Sequence, residues 1–551
     1  HNGSMSSINA STKGDLIVPN QFFLANGSDG YSATAGISET KVMHSVAFQV
    51  GGSWRDQVFL DVTGRNDWSS ALVYADGHGT FSYFYPSVNA SWLISNSFKL
   101  PRPISFWKVR ASYAQVGNDC DAYYINSAYG LESYTNNYGK SYSTTLKNTT
   151  YSQNLKPERK KSWEIGTDFR MFNNRLGLDF TYYKENTTDQ IMTVSIPYAT
   201  GYSYELINAG NIQNSGFEVA LNTTPIQTKD WQWDLNLTWT KNMSKIVELS
   251  PLCADYIALQ GQVNYGNYRI GSVAKVGGTY GMLMSDAMPK IDKTSGLPVL
   301  NMGYYNNYHT PYYQRSGTVE EVGNMMPDFL GGINTTLRWK RFTLSASFDM
   351  RFGGKVASFN SLYGTAYGYT KTSLQYRDKK HGGIEYTSKW DGAKYEDGMV
   401  PNGIVLAGTK ISTPDGGTYT VGSGANASGE TYQELLDKGV VDYVHASGWT
   451  FFQNQWGTFT INDNWFKTLN YIAFRDLSLS YMFDDKLANK IGMHNLSLTA
   501  AGHNLGYLLN TMPNKENPEA VAGTTTAEFR IRQFSGVTSS FTITLRANFG
   551  K

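Results

Sequence analysis

Period-two alternation of apolar and polar residues, repeated along most of the chain, restricts what this sequence can fold into more than any other feature. Trp231, Trp233, Leu235, Leu237 and Trp239 alternate with Gln232, Asp234, Asn236, Thr238 and Thr240. Phe342, Leu344, Ala346, Phe348 and Met350 alternate with Thr343, Ser345, Ser347 and Asp349. Leu477, Leu479, Tyr481 and Phe483 alternate with Ser478 and Ser480, and Leu176, Leu178, Phe180 and Tyr182 with Gly177, Asp179 and Thr181. Successive side chains of a strand point to opposite faces, so each run has one apolar and one polar face. Thirteen strands are predicted: 41–51, 54–63, 83–96, 104–116, 160–171, 175–186, 212–224, 231–246, 328–339, 342–352, 468–483, 492–505 and 538–549. Two more are expected between 265 and 305.

A half-buried sheet in a soluble sandwich would alternate in the same way. Strand length and strand ends decide between the two. Many runs are roughly 10 to 14 residues, longer than the five or six of soluble strands and suited to crossing a bilayer at a tilt. Aromatic residues gather near their ends, as with Trp107 and Tyr113, Trp163 and Phe169, and Phe329 and Trp339. Rings with a polar handle favour the headgroup level. Short connections at 51–53, 173–174, 228–229, 340–341 and 484–491 alternate with long ones at 64–82, 117–159, 187–211, 247–327, 353–467 and 506–537. Outer-membrane barrels have short periplasmic turns and long extracellular loops. The fold expected is an all-β, transmembrane antiparallel β-barrel.

Composition agrees. Of the 551 residues, 17% are charged and 14% aromatic, and the formal net charge is +2. A nucleic-acid partner is not expected, because phosphate neutralisation needs an excess of Lys and Arg. Disorder is not expected, because the aromatic content offers too much surface to bury. Mean hydropathy is −0.39, and no stretch approaches the 18 or so consecutive apolar residues of a spanning helix. Counting through the short turns sends the final strand toward the periplasm with Phe541, Ile543, Leu545, Ala547 and Phe549 toward lipid, and makes residues 1–40 an extracellular segment leading into the barrel of 41–551. Thirteen or fifteen strands is an odd count, whereas single-chain bacterial barrels have an even one. Further strands are therefore expected from outside this sequence.

Site motifs are few. The eight His residues include no HExxH spacing, and CxxC, GxxxxGK[ST] and GxSxG are absent. Cys120 and Cys253 have neither disulfide-framework nor metal spacing. Asp119 and Asp121, or Asp391 and Glu396, could be imagined as paired acids, but read more simply as solvated loop residues. Asp119-Cys120-Asp121 begins like a Ca²⁺ loop yet lacks the Gly and terminal Glu. No catalytic residue, cofactor or metal ligand is assigned. Asn-X-Ser/Thr triplets recur, but Asn89, Asn222, Asn236 and Asn334 fall on the polar faces of predicted strands, where a water-filled lumen selects such residues. Tyrosines crowd two long loops: Tyr123, Tyr124, Tyr129, Tyr134 and Tyr138 in one, Tyr363, Tyr367 and Tyr369 in the other. Such rings either pack loops together or stack on sugar rings and peptide side chains, so all eight are candidate substrate contacts.

Several segments resemble SusC/RagA-type TonB-dependent outer-membrane transporters. They are Gly64-Arg65-Asn66-Asp67-Trp68-Ser69-Ser70 with Tyr85-Pro86-Ser87-Val88-Asn89-Ala90-Ser91-Trp92, and Lys108-Val109-Arg110-Ala111-Ser112-Tyr113 leading into Val116-Gly117-Asn118. Others are Leu155-Lys156-Pro157-Glu158, Ser162-Trp163-Glu164-Ile165-Gly166 and Asn208-Ala209-Gly210-Asn211-Ile212-Gln213-Asn214-Ser215-Gly216-Phe217-Glu218. Near the end come Phe474-Arg475-Asp476-Leu477-Ser478-Leu479-Ser480-Tyr481 and Ala501-Gly502-His503-Asn504-Leu505. The resemblance implies the C-terminal portion, about 13–15 strands, of a 22-stranded barrel in the outer membrane of a Gram-negative bacterium. The N-terminal plug and remaining strands that the resemblance implies are expected outside this sequence. It also implies import of oligosaccharides or peptides, a SusD-like surface lipoprotein as lid, coupling to TonB-ExbB-ExbD through the N-terminal part, and dimers of transporter–lid pairs. The alternatives are a barrel enzyme, a passive porin or an adhesin. No Ser/His/Asp set stands out for the first, so an enzyme is not expected.

Overall fold

The protein is described by a computed structural model. Residues 2–549 are described apart from 6–7, 20, 22, 30, 36–38, 127–129, 137–138, 146–147, 197, 252–254, 263–268, 306–308, 423–424, 426–427, 447–460, 491, 522–527 and 533–535. All thirteen predicted wall strands form: β1 Glu39–Trp54, β2 Val58–Ser69, β3 Ser82–Leu93, β4 Ile104–Asn118, β5 Glu158–Met171, β6 Leu176–Ser195, β7 Tyr204–Gln227, β8 Trp231–Glu248, β9 Phe329–Trp339, β10 Phe342–Phe352, β11 Tyr471–Met482, β12 Met493–Asn510 and β13 Ser540–Phe549. No described helix is long and apolar enough to cross a membrane.

The chain divides into two compact units, the first comprising His1–Phe169, Thr181–Ser215 and Ser244–Asp255, the second Arg170–Phe180, Gly216–Met243 and Tyr256–Lys551. In the first unit β1, β2, β3, β4 and β5 follow one another in hydrogen-bonded order. Asn2–Met5 adds to β1, and Thr149–Tyr151 lies parallel to the start of β7. In the second unit β8, β9, β10, β11, β12 and β13 follow in the same way.

Register carries the alternation across neighbouring strands. In the second unit one row of one face reads Leu337, Leu344, Leu479, Ala500 and Ile543 from β9 to β13. The row beside it reads Trp231, Trp339, Phe342, Tyr481, Leu498 and Leu545 from β8 to β13. In the first unit Val50, Val62, Val88 and Tyr113 make a similar row. Many of these residues are exposed, Ile543 at 81% and Val50 at 65% among them, and an apolar face this wide is stable only against lipid. The opposite face is a polar ladder. Asp234 accepts hydrogen bonds from Thr224 and Gln232, both at 2.8 Å. Asn236 pairs with Asn334, and Thr336 meets Ser345 at 3.1 Å.

Three expectations change. The turn predicted at 51–53 is paired strand, with Gly51 opposite Asp61 and Gly52 opposite Leu60; the chain reverses at 55–57, so the strand predicted at 54–63 is Val58–Ser69. β6 and β7 run to Ser195 and back from Tyr204, so the long connection predicted at 187–211 is mostly paired strand. Beyond the bilayer neither face need be apolar, so alternation fades while hydrogen bonding continues. Strands also form between 265 and 305, but they do not join the wall. Ile270–Lys275 and Met282–Ser285 belong to a separate four-stranded sheet, and Leu300–Tyr305 pairs with Thr310–Tyr313. Ile270, Val273, Ala274, Met282, Leu283 and Met284 are all buried. Burial on both faces erases alternation, and the two strands expected here as wall belong to separate sheets.

A charge on the lipid face should be costly. Leu237→Arg is expected to destabilise the folded barrel by about 2–4 kcal/mol, whereas Asn236→Arg, one residue away on the polar face, should cost less than half of that. Urea titration of the heat-modifiable electrophoretic band in vesicles measures both.

Candidate functional site

The connection after β10 does not wander. Lys355–Ser358 pairs antiparallel with Phe466–Thr468 on one side and parallel with Arg530–Ile531 on the other. This three-stranded sheet joins the connection after β10 to the one after β12. Helix α1, Phe359–Ala366, follows at once, and the Ser358 side chain caps it by accepting from Ser361 N at 3.0 Å. Phe359, Leu362 and Ala366 bury one side of α1 in a core with Trp465, Phe466 and Phe529. That spacing turns Asn360, Tyr363 and Tyr367 to another face of the helix.

The end of α1 is closed by Gly368. Its φ is +83°, its N–H donates to Thr365 O at 3.1 Å, and Tyr369 N–H donates to Gly364 O at 2.7 Å. This is the Schellman arrangement, in which a left-handed residue reverses the chain. A Cβ at Gly368 would also lie 2.7 Å from Arg377 Nη2. The reversal brings Tyr369 back beside the helix. Phe359, Asn360, Tyr363, Tyr367, Tyr369 and Arg532 thus line a cavity of about 750 Å³. Tyr363 and Tyr367 are about half exposed and Tyr369 is 87% exposed. The Arg532 guanidinium stands 5.5 Å from the centre of the Phe359 ring.

Behind this wall the connection after β12 is held by carboxylates. Glu516 accepts from Asn360 Nδ2 at 3.2 Å and Ser361 Oγ at 3.3 Å. Burial pushes the Glu516 carboxyl above its ordinary range, against the hydrogen bonds from Ser358, Asn360 and Ser361. Glu519 reaches the wall. It accepts from Arg475 Nη1 at 2.9 Å and from the Tyr507 hydroxyl at 2.7 Å. A β-bulge makes this possible: Ser347 faces Asp476 and Phe348 faces Phe474, leaving Arg475 as the extra residue. Arg475 and Asp476 both meet polar-face partners, Asp349 at 2.7 Å and Ser347 at 2.7 Å.

Of the eight predicted tyrosines, the structure brings Tyr363, Tyr367 and Tyr369 into one cavity. Tyr123 and Tyr124 are exposed in the first unit. The backbone of Tyr134 pairs with Ser141, and Tyr129 and Tyr138 lie outside the described residues, as does Cys253. Sequence reasoning missed Phe359, Asn360 and Arg532. The helical spacing of Asn360, Tyr363 and Tyr367 was a usable signal, but nothing in the sequence connects Arg532 to them. The imagined acid pairs are structural. Asp119 takes the Lys41 ammonium at 2.5 Å and the Ser69 hydroxyl, while Asp121 is exposed. Asp391 accepts from Ala393 N and the Tyr395 hydroxyl, and Glu396 lies 4.0 Å from Lys379. Cys120 is buried, and burial raises its thiol to about 11. Among the described residues no group of His, Cys, Asp or Glu is arranged to hold a metal.

Comparison with known proteins shows what the chain is similar to. Residues 17–282 match the family of TonB dependent receptor-like β-barrels. That stretch, just under half of the chain, is similar to the β-barrels of TonB-dependent receptors, SusC-type proteins among them. The chain is 28% identical over 308 residues to TonB-dependent receptor SusC of Bacteroides thetaiotaomicron, covering 52% of this chain and 28% of that protein. It is 26% identical over 361 residues to TonB-dependent receptor P26 of Formosa agariphila, covering 62% of this chain and 36% of that one. The solved RagAB peptide importer in its closed-closed state shares the fold, with a TM-score of 0.63 and 17% identity over 96% of this chain and 51% of that chain. The chain therefore spans about a third of the length of the curated relatives it matches. These relatives are receptors and importers rather than enzymes.

The Arg475–Glu519 tie has a pH signature. Burial favours the neutral acid, but the hydrogen bonds from Arg475 and Tyr507 outweigh it and hold Glu519 below its ordinary range. A carboxyl lowered on folding stabilises above its unfolded pKa, and the stabilisation is lost as pH falls through the folded value. Hydrogen exchange in 511–520, corrected for intrinsic rates, should therefore rise on strong acidification. In Arg475→Ala it should rise about tenfold already at neutral pH.

Proposed function

We propose that this chain forms part of the wall and the outer-surface layer of a nutrient importer, and that ligand is held at the aromatic cavity beside α1 before passage. The observation that carries this reading is the cavity's position. It lies among the long connections of the second unit, at the strand ends where an outer-membrane barrel faces the medium, and function concentrates in such loops on rigid scaffolds. Transport needs no covalent chemistry from the wall, only a polar inner face and a place to collect ligand.

The cargo class is oligosaccharide or peptide, in keeping with SusC and the RagAB peptide importer as relatives. By the same kinship a SusD-like surface lipoprotein closes over the long connections 117–159 and 353–467, and TonB-ExbB-ExbD drives the cycle through an N-terminal plug. Transporter and lid act as a dimer of pairs. Residues 1–40 lie on the outer side and lead into the barrel of 41–551.

Orientation and role are tested together. A single cysteine at Asp415, in the exposed turn between Lys410–Ser412 and Thr418–Thr420, should react with an impermeant maleimide on intact cells. One at Asn174, in the short turn between β5 and β6, should not. Replacing Tyr363, Tyr367 and Tyr369 together by Ala should leave outer-membrane assembly intact and lower nutrient uptake about tenfold or more. Labelling at Asn174, or unchanged uptake, would contradict the reading.

A further inference from the structure

The cavity beside α1 has a chemical bias. Among the described residues, its walls are ring faces and side-chain polar groups, not a strand edge. The α1 backbone is satisfied internally and at both ends by Ser358 and Gly368, so α1 offers no row of N–H and C=O groups to pair with an extended peptide. Three exposed rings, from Tyr363, Tyr367 and Tyr369, line it with a hydroxyl each, over the buried ring of Phe359. Asn360, whose Nδ2 donates to Glu516 at 3.2 Å, adds a planar amide to the lining. Flat aromatic faces beside planar polar groups suit a ring with one apolar face and an edge of hydroxyls.

Among the described residues, the single charged group lining the cavity is Arg532. Glu528 is buried and takes both Arg530 Nε and Arg530 Nη2, at 2.5 and 2.7 Å, and it feels the Arg532 charge without a hydrogen bond from it. Arg532 instead rests over the Phe359 ring, which keeps its planar donor fork at the cavity surface. Glu516 stands behind Asn360 and lines a neighbouring cavity rather than this one. A guanidinium in an aromatic wall recognises a planar or tetrahedral anion far better than a neutral hydroxyl.

We propose that this cavity binds an acidic oligosaccharide, one whose sugar rings carry carboxylate or sulfate groups, with the tyrosine faces stacking the rings and Arg532 taking the anion. The volume of about 750 Å³ falls within the range of about 300–1,000 Å³ usual for small-ligand sites. The proposal rests on the importer reading for its cargo, but binding can be measured without transport.

The test uses the intact protein purified from outer membranes in detergent, on a printed panel of neutral, uronic-acid and sulfated oligosaccharides with acidic and neutral peptides beside them. The wild type should retain acidic glycans, and the panel separates carboxylate from sulfate. Arg532→Gln should weaken that retention about tenfold to a hundredfold, Arg532→Lys should keep part of it, and Tyr367→Ala should weaken it with the charge intact. Heat-modifiable migration confirms that each variant is folded. Retention of neutral glycans only, of peptides only, or of nothing would overturn the proposal, as would acidic-glycan binding unchanged in Arg532→Gln. Uptake by cells separates the two readings. Binding without any uptake of the bound glycan counts against the importer alone, whereas uptake with no acidic-glycan binding counts against the cavity assignment alone.

Discussion

Every backbone N–H and C=O that enters hydrocarbon must find a partner within the protein, and the rest of this molecule follows from that demand. A sheet meets it only as a continuous ladder, which is why the wall strands are long, antiparallel and joined to their neighbours residue by residue. Once the ladder exists, the two faces see different solvents. The lipid face takes Leu, Val, Phe and Trp; the inner face takes Asn, Thr, Ser and Asp, which hydrogen-bond to one another as in Asp234 with Thr224 and Gln232.

Several residues that carry the family resemblance act as ties on the polar face. Arg65 donates to Asp67 at 2.7 Å and to Ser45 at 2.9 Å, and the Tyr85 hydroxyl donates to the same Asp67. Lys41 reaches from β1 to Asp119 and the Cys120 carbonyl beyond β4. Arg475 does the same at a bulge in β11, joining the wall to Glu519. A strand ladder holds neighbours only, and these charged side chains reach farther. They hold connections over the wall that backbone pairing alone would leave loose.

Those connections form a layer with cores of its own. Residues 300–302 meet residues 399–446 in one cluster that includes Leu300, Met399, Val405, Tyr432 and Leu435, and Val299 bridges Ile404. Another cluster supports α1. Packing of this kind holds Tyr363 of α1 over a fixed core, and the reversal at Gly368 sets Tyr367 and Tyr369 beside it.

The sequence by itself determined the wall. Alternation is a local signal, written in the strand's own residues because lipid and water select side chains independently of which strand comes next. All thirteen strands were therefore legible, with their faces: Trp233 and Leu237 on one, Asn236 and Asn334 on the other. Tertiary structure decided what alternation does not encode. The strands at 270–275 and 282–285 left the wall because burial on both faces removes the period. Tyr363, Tyr367 and Tyr369 were visible as loop aromatics, but only the cap at Ser358, the reversal at Gly368 and the core under Phe359 turn them into one cavity. Arg532 joins them through the pairing of Ser358 with Ile531, a contact across more than 170 residues of chain. No local pattern specifies such a contact, because it depends on which distant segments the packed layer brings side by side.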